Sequence, residues 1–361
     1  MTFRDAYPAF QALAAALLFG VSAPVSKLLL HEIEPAMLAG LLYLGSGAGL
    51  LLFRIIRKTA GGSGDTEAKL APSDIPWLAA ATLAGGVAAP IILLFSLRHT
   101  PAATASLLLN FECAATTLIA AILFKESISR RAWGAILCIT FAGILLSTDF
   151  KASGGLSFST LGVLMACLFW GIDNNFIRNI SAKDPLAIVT IKGFGAGLIS
   201  LGSGFLIGNP LPRFDMILGA MILGCMSYGL SIVLFIYAMR GLGAGRTSAL
   251  FATAPIFGII LSLILFQETP DGLFIAALPI MIIGAIFLVT EQHKHIHRHE
   301  EIIHEHRHAH TDGHHDRHHR RPDDIAITHT HTHNHDPVEH AHQHMPDIHH
   351  RHGHQSEWEA S

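Results

Sequence analysis

Ten apolar stretches of about 20 residues, divided by short polar connections, fill positions 9–290, and few folds are open to such a chain. In hydrocarbon every backbone N–H and C=O needs a partner within the protein, so a stretch of this length crosses as an α-helix. The stretches are 9–30, 35–53, 76–97, 101–124, 131–148, 158–180, 185–207, 215–239, 244–266 and 272–290. Only 14% of the 361 residues are charged, against about 25% in a soluble domain. The pattern predicts an all-α integral membrane protein of ten transmembrane helices, followed by a polar tail over 291–361.

Loop charge gives the expected orientation. Arg4, Arg54, Arg57, Lys58, Lys69, Lys125, Arg130, Arg131, Arg178, Lys183, Arg240 and Arg246 fall on the side of the N-terminus, and only Arg98, Lys151 and Arg213 fall opposite. Both termini are therefore expected in the cytoplasm, with the chain in a bacterial-type inner membrane. Trp77 and Trp133 fit interfacial anchoring, and Lys27, near the end of the first span, reads as an outward-reaching anchor. The N-terminus runs into the first apolar stretch without a small-residue cleavage site, as a retained span does. Cys113, Cys138, Cys167 and Cys225 lie inside apolar stretches without CxxC spacing and read as small core residues.

The chain repeats itself. Shifted by 142 positions, Arg98 meets Arg240, Ala102 meets Ala244, Ser106 meets Ser248 and Leu108 meets Leu250. Upstream, with a shift of 151, Lys27 meets Arg178. Each unit holds five spans, an odd number, so the second is expected upside down relative to the first. The units are 1–149 and 156–290. Inverted repeats of this kind build two alternately open faces around one site near the bilayer midplane.

With the motifs Leu-Phe-Gly-Val-Ser-Ala-Pro-Val-Ser-Lys at 18–27, Leu-Phe-Lys-Glu at 123–126, Ala-Pro-Ile-Phe at 254–257 and Leu-Phe-Gln-Glu at 265–268, positions 1–290 resemble the drug/metabolite transporter superfamily, specifically its EamA-type members with two five-helix repeats. The resemblance implies an exporter of small organic solutes, proton-linked or facilitative, and names no solute. Two positions depart from the family pattern. Glu112-Cys113 stands where the fourth span often has proline, which the second unit keeps as Pro255. Leu42 stands where the second span often has a basic residue, kept in the second unit as Lys192.

Charges inside apolar spans are costly and mark a polar path or a partner. Glu112 lies near the middle of the fourth stretch, where a carboxyl can load and release a proton or meet a solute; the bland alternative is a protonated carboxyl bonded between helices. Asp173 and Lys192 lie at similar depth on consecutive spans and are expected to pair, as an inner gate, a substrate-binding corner or a plain helix clasp. Asn174 and Asn175 add donors and acceptors beside that pair. Tyr228, with Ser227 and Ser231, is a further candidate for lining the path, although hydroxyls in membrane helices more often bond a neighbouring carbonyl.

Of the 25 histidines, only His31 and His99 precede the tail. The tail alternates them at His293, His295, His297 and His299, at His304, His306, His308 and His310, and at His329, His331, His333 and His335. With so few apolar residues it cannot bury a core and is expected to be disordered. Clustered imidazoles give overlapping sites for Zn, Ni or Cu, so metal ions are expected partners of the tail alone. With neutral histidine the tail carries net charge −6, and +17 when all are protonated, which would draw it toward anionic lipid. A divalent-metal transporter that collects cargo on the tail is the alternative reading. No nucleophile–base set or phosphate loop marks an enzyme, and no resident cofactor and no nucleic-acid partner are expected.

Overall fold

Among the described residues ten helical arms form where the apolar stretches predict them. The computed structural model describes residues 3–59, 68–124, 129–149, 155–180, 183–242, 244–289, 293–298, 302–308, 329–335 and 339–344. In chain order the arms are α1 (Tyr7–Leu29), α2 (Pro35–Thr59), α3 (Pro72–Leu97), α4 (Ala102–Leu123), α5 (Arg130–Ser147), α6 (Phe158–Arg178), α7 (Pro185–Leu206) and α8 (Phe214–Ala238). Then come α9, in two pieces (Ala244–Phe251 and Ala254–Phe266), and α10 (Gly272–Val289). The first eight are long and apolar enough to cross a membrane, while the second piece of α9 and α10 are shorter apolar helices.

Local sequence fixes the interruptions. In α1 the helix breaks at Val21, three residues before Pro24, whose ring has no N–H and crowds the preceding turn. In α4 it breaks at Leu109–Asn110: the Asn110 side-chain amide donates to the Leu107 carbonyl at 3.1 Å and takes an acceptor from the helical ladder. In α9 the break falls at Ala252–Thr253, and the Thr253 hydroxyl donates to the Leu250 carbonyl at 2.7 Å. Two arms instead carry a wide π turn, Thr82–Ala88 in α3 and Cys225–Leu230 in α8.

The chief packing partners are α2 with α7, α5 with α10, α4 with α9, α1 with α8, α3 with α6, α4 with α6, α1 with α9, α2 with α8 and α3 with α7. Adding five to each label maps this set onto itself. Where α2 crosses α7, a Cβ on Gly193 would lie 2.8 Å from the Gly47 Cα. That crossing needs glycine, because packing between membrane helices depends on close backbone approach.

Short strands lie outside the bundle. β1 (Thr148–Asp149) and β2 (Gly155–Leu156) pair antiparallel between α5 and α6. In the tail, β3 (His293–Arg298) pairs with β6 (Glu339–His344), and β4 (Ile302–His308) with β5 (His329–His335). Isolated two-stranded ribbons are marginal in water, so these do not amount to a domain with a core. The remaining tail residues, and 60–67 of the loop after α2, lie outside the described residues.

Candidate functional site

The π turn of α3 begins the site. A π turn widens the helix and weakens its own ladder. Here the carbonyl of Gly85 accepts from the Tyr43 hydroxyl of α2 at 2.8 Å and from the Trp170 indole N–H of α6 at 3.0 Å. Gly85 and Gly86 also leave room on two sides. A Cβ on Gly85 would fall on the Asp173 carboxylate, and one on Gly86 would lie 2.7 Å from the Ala196 Cβ of α7. Two glycines thus bring α6 and α7 close against α3.

Asp173 and Lys192 meet in that gap as an ion pair. Both are largely shielded, with side-chain exposures of 6% and 14%. The second carboxylate oxygen of Asp173 is buried with no partner among the described residues. One side of the pair is therefore satisfied, and a strong acceptor remains for a donor that the described side chains do not supply.

Glu112 stands in the first turn after the break in α4, the position that Pro255 holds after the break in α9. Its Oε1 accepts from the Asn174 side-chain amide at 2.8 Å, and the same amide donates to the Thr116 hydroxyl at 3.1 Å. Glu112 has no ion-pair partner among the described residues; it is half-buried, and Asn174 is exposed. Glu112, Asp173 and Lys192 lie within electrostatic reach of one another, and Tyr43 and Tyr228 lie within reach of Glu112. Asp173 and Lys192 offset each other's charge, which leaves the Glu112 carboxyl with a neutral donor as its direct partner.

Aromatic side chains border the cluster. Tyr43 and Tyr228 stack with ring centroids 5.6 Å apart, and Phe19 of α1 meets Tyr228 edge-on at 6.0 Å. Tyr228 itself lies in the π turn of α8, so both π turns border the cluster.

The geometry departs from the sequence expectations in several places. Asn174 bonds Glu112 and Thr116 rather than flanking the Asp173–Lys192 pair, because adjacent helix positions point about 100° apart. Asn175 is 2% exposed and donates to the carbonyls of Thr116 at 3.0 Å and Gly171 at 2.8 Å, as a clasp between α6 and α4. Ser231 donates to the Ala15 carbonyl at 2.9 Å, the carbonyl-bonded arrangement that hydroxyls in membrane helices more often take. Lys27 is not an outward anchor: it turns to the Thr100 carbonyl and Glu268. Tyr43, Gly85, Thr116 and Trp170 were not singled out in the sequence. The Gly-Gly pair at 85–86 was the one local sign, and nothing in a single chain says which face it serves.

Among the described residues no group of three or more His, Cys, Asp or Glu is placed to hold a metal ion; the tail histidine side chains lie outside the described residues. The described residues of the bundle thus give the metal-transport alternative no support.

Comparison with known proteins agrees with this architecture. The sequence pattern of the EamA-like transporter family matches residues 7–148 and again 157–290. An uncharacterized transporter of Methanothermobacter thermautotrophicus is 26% identical over 292 residues, covering 77% of this chain and 84% of that protein. A solved crystal structure superposes with a TM-score of 0.56 at 18% identity, over 78% of this chain and 95% of its own. At that identity the likeness concerns the fold alone.

Proposed function

The chain belongs to the EamA-like transporter family, and on that premise we propose that it exports a small organic solute by alternating access, with Glu112 as the group that links movement to a proton. The observation that carries the proposal is the Glu112 carboxyl, inside an apolar bundle, held by Asn174 and, among the described residues, without a cation in direct contact. A fixed charge there is expensive. A carboxyl that exchanges a proton for a solute group is charged only while the solute or water offsets it.

In this reading the solute binds beside Glu112, next to the aromatic side chains. Asp173, through its free oxygen, and Asn174 orient its polar end. Tyr43, Tyr228 and Phe19 cover its apolar part. The two five-helix units, 1–149 and 156–290, act as inverted halves. Support comes from the packing set that maps onto itself and from the matched features of the halves: paired π turns, and paired breaks at Asn110 and Thr253. By loop charge, the face bearing the N-terminus is cytoplasmic, in an inner membrane of bacterial type, with the tail on the same side.

The test is a comparison of metabolite and metal content in cells lacking the protein, carrying it, or carrying it truncated after Thr290. The proposal expects one organic solute to be depleted by both forms. A change confined to zinc or nickel, and dependent on the tail, would overturn it.

A further inference from the structure

At the end of the bundle opposite the N-terminus, three connections meet on one carboxylate. Glu268, just past α9, accepts from the backbone amides of Ala102 at 2.9 Å and Ala103 at 3.0 Å, at the start of α4. Lys27, near the end of α1, lies 3.8 Å from the same carboxylate. Lys27 also donates to the Thr100 carbonyl, between α3 and α4, and stands 5.6 Å over the Phe266 ring. Lys27 and Glu268 are each 19% exposed, shielded enough for the pair to count but still within reach of water.

Directly beneath, α1, α4 and α9 are in close register. A Cβ on Gly258 would lie 2.7 Å from the Ser106 hydroxyl and 2.8 Å from the Gly20 carbonyl. The Ser106 hydroxyl is buried there without a partner among the described residues. At the other end of the bundle the polar cluster is less enclosed, for Asn174 is exposed and lies four residues from the end of α6.

We propose that Lys27 and Glu268 form the latch that shuts the far face, and that α1, α4 and α9 part only when this pair is broken. The inference rests on the alternating-access reading, since a molecule with one fixed shape has no need to open there. Glu268 is the positioning residue. Its carboxylate holds the start of α4 through two amides and the end of α1 through Lys27, so withdrawing that carboxylate frees both, and losing Lys27 frees α1 from it. The closed crossing below it at Ser106, Gly20 and Gly258 then becomes wet. The latch takes no part in recognising the solute and sits apart from Glu112, Asp173 and Lys192.

The experiment needs no solute. In a chain whose four native cysteines are replaced, Ser106→Cys reports wetting of the crossing through its rate of reaction with a membrane-impermeant maleimide. Labelling is followed in spheroplasts and in everted vesicles, so the answer does not depend on the assigned orientation. Glu268→Gln and Lys27→Gln are each expected to raise the rate about tenfold from one side only, the change expected when one charge-assisted pair is lost. Glu268→Asp, which keeps the charge, should stay near the parent rate. Thermal unfolding in detergent reports whether each variant folds, and Lys27→Gln decides the matter if Glu268→Gln does not. Unchanged one-sided labelling in a folded variant overturns the latch and leaves the transport reading intact. Faster labelling in cells whose solute content never responds to the protein keeps the latch and removes the transport reading.

Discussion

The Asn174 side-chain amide donates to Glu112 Oε1 at 2.8 Å, joining α6 to α4 through a carboxyl that has no cation in contact among the described residues. That bond holds the carboxyl in a fixed position while Asn174 stays exposed. Asn174→Ala should therefore lower transport by about tenfold, the equivalent of one hydrogen bond to a charged group. Stability should fall by about 1–3 kcal/mol as well, because the half-buried Glu112 carboxyl loses its donor. Efflux rate and melting temperature, measured on the same preparation, check both parts.

Asp173 and Lys192 form an ion pair shielded from water. Breaking such a pair from one side leaves a buried charge, at a cost of about 3–5 kcal/mol. Asp173→Asn and Lys192→Met should each destabilise the fold by that order. The exchanged pair, Asp173→Lys with Lys192→Asp, should recover part of the loss. A double-mutant cycle on unfolding in detergent measures the coupling, and strict additivity would remove the pairing.

Gly85 leaves the Asp173 carboxylate no room for a Cβ on α3. Gly85→Ala should cost about 1–3 kcal/mol, as overpacking does, and should reduce transport as well, because the carboxylate must shift. Gly134→Ala and Gly202→Ala, with nothing within 4 Å of the added Cβ, should leave both properties near those of the parent. Melting curves of the three variants, with efflux rates alongside, make the comparison.

Truncation after Thr290 removes 23 of the 25 histidines. In calorimetric titration at neutral pH the full chain is expected to bind Zn and Ni and the shortened chain to bind neither, since neutral imidazole is the expected ligand. Its solute transport should remain. Retained metal binding in the shortened chain would place the metal site in the bundle instead.

The sequence carried the bilayer architecture well because apolar length is a property of each stretch alone. All ten arms fall where the hydropathy placed them, and the halves could be aligned from Arg98, Ala102 and Ser106 onward. Contact between Asp173 and Lys192 was legible for a similar reason: consecutive helices joined by a short turn keep equal depths together. What stayed hidden needed rotation about a helix axis or contact between distant arms. No local pattern says that Asn174 turns to Glu112 and Asn175 to backbone carbonyls. Nor does one say that Lys27 reaches Glu268 across more than two hundred positions. The π turns were equally silent, for a Gly-Gly pair in an apolar helix is ordinary until its neighbours are known.

The most direct measurement is solute efflux from proteoliposomes under an imposed pH gradient, with the parent chain and Glu112→Gln compared at equal protein content. The account predicts that the parent responds to the gradient, whereas Glu112→Gln loses that response yet still exchanges labelled for unlabelled solute. A Glu112→Gln protein that follows the gradient as the parent does would contradict it.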